Sequence, residues 1–106
     1  MNNKIKKEVT FEILRKIEIK PNSNQRDLAH KLDISLGKIN YCLKELKKRG
    51  LIKIKNFKNN PKKLNYKYLL TTKGVSYKSK MIFYFMRQKI KEYNDLKNEV
   101  KKIQDN

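Results

Sequence analysis

Apolar residues recur at helical spacing through the first half of the chain, and the pattern changes twice before the end. Ile5, Val9, Ile13, Leu14 and Ile17 share one face of a helix over residues 5–19, which Pro21 and Asn22 close. Asn24 is placed to cap a second helix, and Asp27, three residues on, completes a variant of the capping box. Leu28, Ala29 and Leu32 give this helix its inner face. A tight turn of Asp33, Ile34 and Ser35 follows, with Ser35 as the next N-cap. The third helix carries Leu36, Ile39, Leu43 and Leu46 inward, at spacings of 3, 4 and 3, until Arg49 and Gly50 end it.

The period then falls to two. LIKIKNF (51–57) and LNYKYLL (64–70) alternate as half-buried strands, and KNNPKK between them reads as a polar, basic hairpin loop. Thr71 and Gly74 open a long helix that runs to about residue 104. Along it Ile82, Met86, Tyr93, Leu96, Val100 and Ile103 alternate at spacings of 4 and 3, once Lys89 is accepted as one polar position. Phe83, Phe85 and Ile90 widen the stripe. A monomer would leave much of it bare, so these six residues are expected to form a dimer interface, in preference to folding back on the first helix.

Helix, helix, turn, helix, strand, basic loop, strand, long helix is the order of a winged helix-turn-helix. The expected fold is mainly α with a small β-hairpin and a long C-terminal dimerisation helix. Residues 1–72 would form the DNA-binding domain and 73–106 the coiled-coil-like dimerisation helix, in one structural unit. Ala29 supplies the small residue where two helices cross. Two positions depart from the usual pattern. Asp33 stands where the turn usually has Gly, and visits the left-handed region at lower cost than most residues. Cys42 stands where a branched aliphatic is usual.

Charge sharpens this reading. The chain of 106 residues holds 28 Lys and Arg against 10 Asp and Glu, a net charge of +18 and a pI near 10.1, which favours a polyanionic partner. Heavy use of Lys, Asn and Ile is also what an AT-rich coding sequence produces, so distribution counts for more than the total. Residues 35–68 hold eleven Lys or Arg against Glu45 alone. The longest apolar run, at 81–86, is far short of a membrane span, and no apolar region follows the basic start as in a signal peptide. Within 78–91 the run KMIFYFM covers all faces of the helix, which suits burial in protein better than a membrane surface. A single cysteine excludes an intrachain disulfide and fits a reducing, cytoplasmic setting. Cys42 itself fits a packed core position better than a redox sensor. His30 is the only histidine and has no second ligand or nucleophile at a suggestive spacing. No Gly-rich phosphate loop, paired acids or metal-ligand cluster is present, so no enzyme activity, metal or cofactor is expected.

The candidate site follows from the third helix. At 100° per residue the outer face holds Gly37, Lys38, Tyr41, Lys44, Glu45 and Lys48. Gly37, Lys38, Asn40, Tyr41 and Lys44 are the expected base readers: Lys donates to guanine O6 or N7, Asn40 on the flank pairs with adenine, and Gly37 lets the backbone approach. Asn24, Gln25, Arg26, Ser35 and Lys48 are the expected phosphate contacts, the first three at a helix start where amides are free. The loop residues Lys58, Asn59, Asn60, Lys62 and Lys63 form the wing, reaching a backbone or minor groove from a tip stiffened by Pro61.

The run NQRDLAHKLDISLGKINYCLKELKKRGLIKIKNF with YLLTTKG after it resembles the MarR-type winged-helix regulators. It looks especially like the short group described as EPS-associated transcriptional regulators, SLGKINYCL and YLLTTKG being the specific parts. The resemblance covers about residues 8–90. It implies a sequence-specific double-stranded DNA-binding transcriptional regulator, homodimeric, tied to exopolysaccharide or surface-polysaccharide genes. The longer MarR proteins bind small effectors between the DNA-binding lobe and the dimer helices; no effector site is recognisable here, so the effector is unknown. Two alternatives compete. One is a winged-helix protein-interaction module whose charge is compositional. The other is a non-specific nucleic-acid or RNA binder, disfavoured because the strands carry no aromatic stacking platform.

Overall fold

The computed structural model describes residues 3–105, with side chains described from Lys7 onward. Four helices and one hairpin follow in the order α1 (Asn3–Ile19), α2 (Gln25–Leu32), α3 (Leu36–Lys48), β1 (Ile52–Ile54), β2 (Tyr68–Leu70) and α4 (Thr72–Gln104). Ile5, expected on the inner face of α1, has its side chain outside the described residues. The remaining apolar positions of α1 behave as their spacing predicts, and Ile13, Leu14 and Ile17 are fully buried. They pack with Leu28 of α2, with Ile39, Leu43 and Leu46 of α3, and with Leu51, Ile52 and Tyr68 at the hairpin. This single core holds the inner face of α3 against α1, α2 and the hairpin.

The hairpin is shorter than the alternation predicted. Instead of two strands of seven residues there are three antiparallel pairs, Ile52 with Leu70, Lys53 with Leu69 and Ile54 with Tyr68. One further backbone bond, from Lys55 N–H to the Lys67 carbonyl at 2.8 Å, extends the pairing. Asn56 then ends it. Its Oδ1 accepts from the Lys67 N–H at 2.8 Å and its Nδ2 donates to the Asn65 carbonyl at 2.9 Å, so a side chain replaces the next rungs. Beyond Asn56 the chain curls through single 3₁₀ turns at Phe57–Asn59 and Lys63–Asn65, and KNNPKK is part of a compact wing rather than a simple hairpin loop. On the outer edge of β2, Tyr68 exchanges backbone bonds with the α1–α2 linker: its N–H donates to Ser23 and its carbonyl accepts from Asn22, at 3.0 and 3.1 Å. Tyr68 is therefore paired on both edges.

The β2–α4 junction is held by a chain of short contacts. Thr71 caps α4 with its Oγ1, which accepts from the Gly74 N–H at 3.0 Å and donates to the Gly50 carbonyl at 2.6 Å. The Thr71 N–H donates to the Leu51 carbonyl at 3.1 Å. The start of α4 comes so close to this carbonyl that a Cβ on Gly74 would lie 2.0 Å from Leu51 O. The first half of α4 then runs along α1. Phe85 stacks on Phe11 with centroids 4.8 Å apart, Met81 is buried, and Lys78 pairs with Glu18. Residues 89–105 leave the body and are exposed throughout, which stretches the molecule to 66 × 27 × 24 Å. No described helix is long and apolar enough to cross a membrane.

Candidate nucleic-acid interface

The bihelical unit of α2 and α3 is locked by local hydrogen bonds. Asn24 Oδ1 accepts from the Asp27 N–H at 2.8 Å, and Asp27 Oδ2 accepts from the Asn24 N–H at 3.3 Å, so both halves of the capping box form. Asp33 ends α2 in the left-handed region, at φ 54° and ψ 49°, with its N–H shared between the carbonyls of Ala29 and His30. A short polar side chain tolerates this conformation where most residues would not. Two residues on, Ser35 Oγ accepts from the Lys38 N–H at 3.2 Å and starts α3. The turn is therefore as tight with Asp33 as a glycine would make it.

The inner face of α3 is Ile39, Cys42, Leu43 and Leu46. Leu36, expected among them, is 39% exposed, because it lies in the first turn beyond the packed segment while Cys42 turns inward. Gly37, Tyr41, Lys44 and Lys48 point outward, Tyr41 at 55% exposure. Lys38 and Glu45 are half-buried on one shoulder, and Asn40 is half-buried on the other, beside the wing. Gly37 has open space around it, so its lack of a side chain answers to no contact within the chain. Lys38, Lys44, Lys48, Lys58, Lys62 and Lys63 enter no ion pair among the described residues, whose pairs all lie elsewhere. Their charge is uncompensated.

Gln25 is placed differently from the expected exposed phosphate clamp. It is only 4% exposed, and its Nε2 donates to Asn40 Oδ1 at 3.2 Å and to the Tyr68 hydroxyl at 3.3 Å. Its side chain is thus committed to linking α2, α3 and β2. Arg26 and Ser35 are exposed and Asn24 is half-buried, its side chain already serving as the cap. Burial raises the Tyr68 hydroxyl above its ordinary pKa near 10; the Gln25 hydrogen bond opposes this, and Tyr66 adds a smaller upward push.

Within the wing, Lys58, Asn59, Lys62 and Lys63 are exposed, while Asn60 is half-buried and its Nδ2 donates to the Asn56 carbonyl at 3.3 Å. Phe57 and Tyr66 meet at 5.6 Å between ring centroids, and the Lys47 ammonium sits over the Phe57 ring at 5.1 Å. This cation–π contact ties the wing base to α3. A crevice of about 180 Å³ remains between them, bordered by Asn40, Lys44, Lys47, Phe57, Lys63 and Tyr66. Lys47, Asn56 and Phe57 are absent from the expectations above. For Asn56 a signal was available: 52, 54 and 56 share one face of the strand, and a polar residue at the third marks where pairing stops.

Ile82, Met86, Tyr93, Leu96, Val100 and Ile103 are all exposed along α4. His30 is exposed and Cys42 is buried. Among the described residues no group of three or more His, Cys, Asp or Glu is placed to hold a metal.

Residues 6–53 match the family described as winged helix-turn-helix DNA-binding. The fold is a winged helix-turn-helix. Solved structures extend the likeness beyond the matched segment. The Staphylococcus aureus MarR in complex with salicylate and kanamycin superposes with a TM-score of 0.63 at 20% identity, over 89% of this chain and 70% of that one. The transcriptional repressor CouR bound to a 23-mer DNA duplex gives 0.56 at 25% identity, over 66% and 48%. The Streptococcus pneumoniae FabT in complex with DNA gives 0.58 at 17% identity, over 81% and 58%. The chain thus spans about half the length of CouR. A search of curated proteins finds no match to this sequence. The family match falls on the segment that carries α2 and α3, and the solved structures share the fold around it.

Proposed function

We propose that this chain is a homodimeric, sequence-specific regulator that occupies double-stranded DNA. The observation that carries the reading is the outer face of α3. Gly37, Tyr41, Lys44 and Lys48 project from a helix whose opposite face is packed in the core, and a basic wing without ion pairs among the described residues stands beside it. A helix of this width fits the major groove, which is about 12 Å wide. In this reading Lys38, Asn40, Tyr41 and Lys44 meet bases and Gly37 allows close approach. Arg26, Ser35, Lys48 and the amides at the start of α2 hold phosphates, and Lys58, Asn59, Lys62 and Lys63 track the backbone beside them. Gln25 keeps only its backbone amide for such a contact.

Dimerisation follows from the bare apolar stripe on α4, which a second copy would cover and so present two recognition helices to half-sites about 34 Å apart or a multiple of that. Regulation of exopolysaccharide or surface-polysaccharide genes rests on the resemblance carried by SLGKINYCL and YLLTTKG. The deciding experiment is selection of duplexes from a random pool at about 150 mM salt. An enriched two-fold motif is expected. Binding without enrichment that vanishes as salt rises would reduce the basic charge to a compositional effect.

A further inference from the structure

The Gln25 amide is buried and turned nitrogen-first toward its neighbours. Its Nε2 meets two oxygens, Asn40 Oδ1 and the Tyr68 hydroxyl, at 3.2 and 3.3 Å. The Tyr68 backbone is in turn held by two bonds to the α1–α2 linker, from its N–H to Ser23 and to its carbonyl from Asn22. Asn40 is thereby gripped by its carbonyl oxygen, and the NH₂ group, which makes no hydrogen bond among the described residues, is left for the outer side. Asn40 occupies the shoulder of α3 between Gly37 and Lys44, the positions three before and four after it on the helix surface.

We propose that Gln25 sets the hydrogen-bonding polarity of Asn40, so that Asn40 meets DNA as a donor only and selects an acceptor at one position of the site. The inference rests on the DNA-reading function above and changes one of its details. An asparagine that pairs with adenine needs both its amide groups free, to accept from N6 and donate to N7. With the oxygen held inward, the partners left are the major-groove acceptors, O6 or N7 of guanine, O4 of thymine and, by a single bond, N7 of adenine, while cytosine offers none. Gln25 is a positioning residue and Asn40 the contact.

Replacing the donor by an acceptor inverts the prediction. In Gln25→Glu the carboxylate accepts from the Tyr68 hydroxyl and from Asn40 Nδ2, which turns the Asn40 oxygen outward. Asn40→Asp reaches the same outward chemistry with Gln25 intact. Both full-length variants should shift one column of the selected motif toward cytosine, whose only polar group in the major groove is an amine. The shift should be about five- to tenfold, the scale of one hydrogen bond. An unchanged motif in both variants would overturn the proposal. A uniform loss at every column would also overturn it, placing Asn40 on a phosphate.

Amide NMR of the free, unsubstituted chain decides the orientation without DNA. Gln25 side-chain protons should lie against the Tyr68 ring and be protected from solvent exchange, with those of Asn40 exchanging freely; the reverse pattern refutes the inference. If the parent chain enriches no motif, the function has been misread, and this spectrum still tests the amide pair.

Discussion

Two glycines at comparable places, the first turns of α3 and α4, should respond in opposite directions to the same added methyl. At Gly74 the methyl would sit 2.0 Å from the Leu51 carbonyl oxygen, so α4 would have to withdraw by roughly 1 Å or more to reach even the tightest real contact. Neither side yields easily. Leu51 is fully buried, its N–H donates to the Leu46 carbonyl at 3.0 Å, and its own carbonyl accepts from Thr71 at 3.1 Å. Overpacking of this kind costs about 1–3 kcal/mol, and loss of the Thr71 bond adds about 1 kcal/mol. The better helix propensity of Ala returns up to about 1 kcal/mol. Gly74→Ala should therefore be destabilised by about 2 kcal/mol, a fall in Tm of roughly 10 °C or more for a chain of this size. At Gly37 nothing lies within 4 Å, so only the propensity gain remains and Gly37→Ala should melt a few degrees higher. Thermal unfolding followed by far-UV circular dichroism, at one fixed protein concentration because a dimer makes Tm concentration-dependent, measures both. A Gly74→Ala chain that melts at or above the parent would refute the close-approach argument. Duplex binding adds a second readout, since the stabilised Gly37→Ala protein should bind its selected site more weakly if the backbone there approaches DNA.

Removing the α2 cap with Asn24→Ala should cost about 1 kcal/mol in urea unfolding, because the Asp27 N–H loses its side-chain acceptor while the backbone N–H of residue 24 keeps its bond to Asp27. Tyr68 gives a pH dependence of defined sign: its folded pKa lies above the ordinary value near 10, so its contribution is complete below about pH 10 and is lost as pH rises through the raised value. Tyr68→Phe should flatten that alkaline limb of a stability–pH curve. Lys38→Ala should relax sequence preference, whereas Lys62→Ala should weaken all sequences alike and lower the salt slope by about one unit; identical behaviour would refute the division between reader and clamp. Leu96→Glu with Val100→Glu should convert a dimer to a monomer in sedimentation velocity, and an unchanged sedimentation coefficient would remove α4 as the interface.

What was legible in the sequence was local. Asn24 with Asp27, Asp33 in the turn, Ser35 and Gly50 each act within a few residues of themselves, and short-range chemistry of this kind is written in consecutive letters. The faces of α1 and α3 followed from spacing alone, save for Leu36 at the end of its stripe. The site was less legible where it depends on distant partners. Gln25 reads as an exposed polar residue at a helix start until Tyr68, 43 residues on, brings a hydroxyl to it. The wing likewise depends on Asn56 meeting Asn65 and Lys67, and on Lys47 meeting Phe57, contacts that alternation of apolar and polar residues does not encode.

Charge placement separates the two halves of the proposed assembly. A compositional excess of lysine would be spread along the chain, yet residues 35–68 carry eleven cations against one acid, while residues 89–105 carry five lysines against four of the ten acidic residues. The cations thus concentrate where a polyanion would be met, and the exposed end of α4 is nearly neutral. This matters for assembly, because a chain of +18 repels its own copy, and at physiological salt that repulsion is screened only beyond about 8 Å. Side chains in a helix pair approach more closely than this. Only the distal part of α4 combines an apolar stripe with a balanced charge. There two copies would meet with little electrostatic cost, leaving both basic faces turned outward. Residues 89–105 are exposed throughout, so the same pairing that covers the stripe would also give the end of α4 the packing that most helices in proteins rely on.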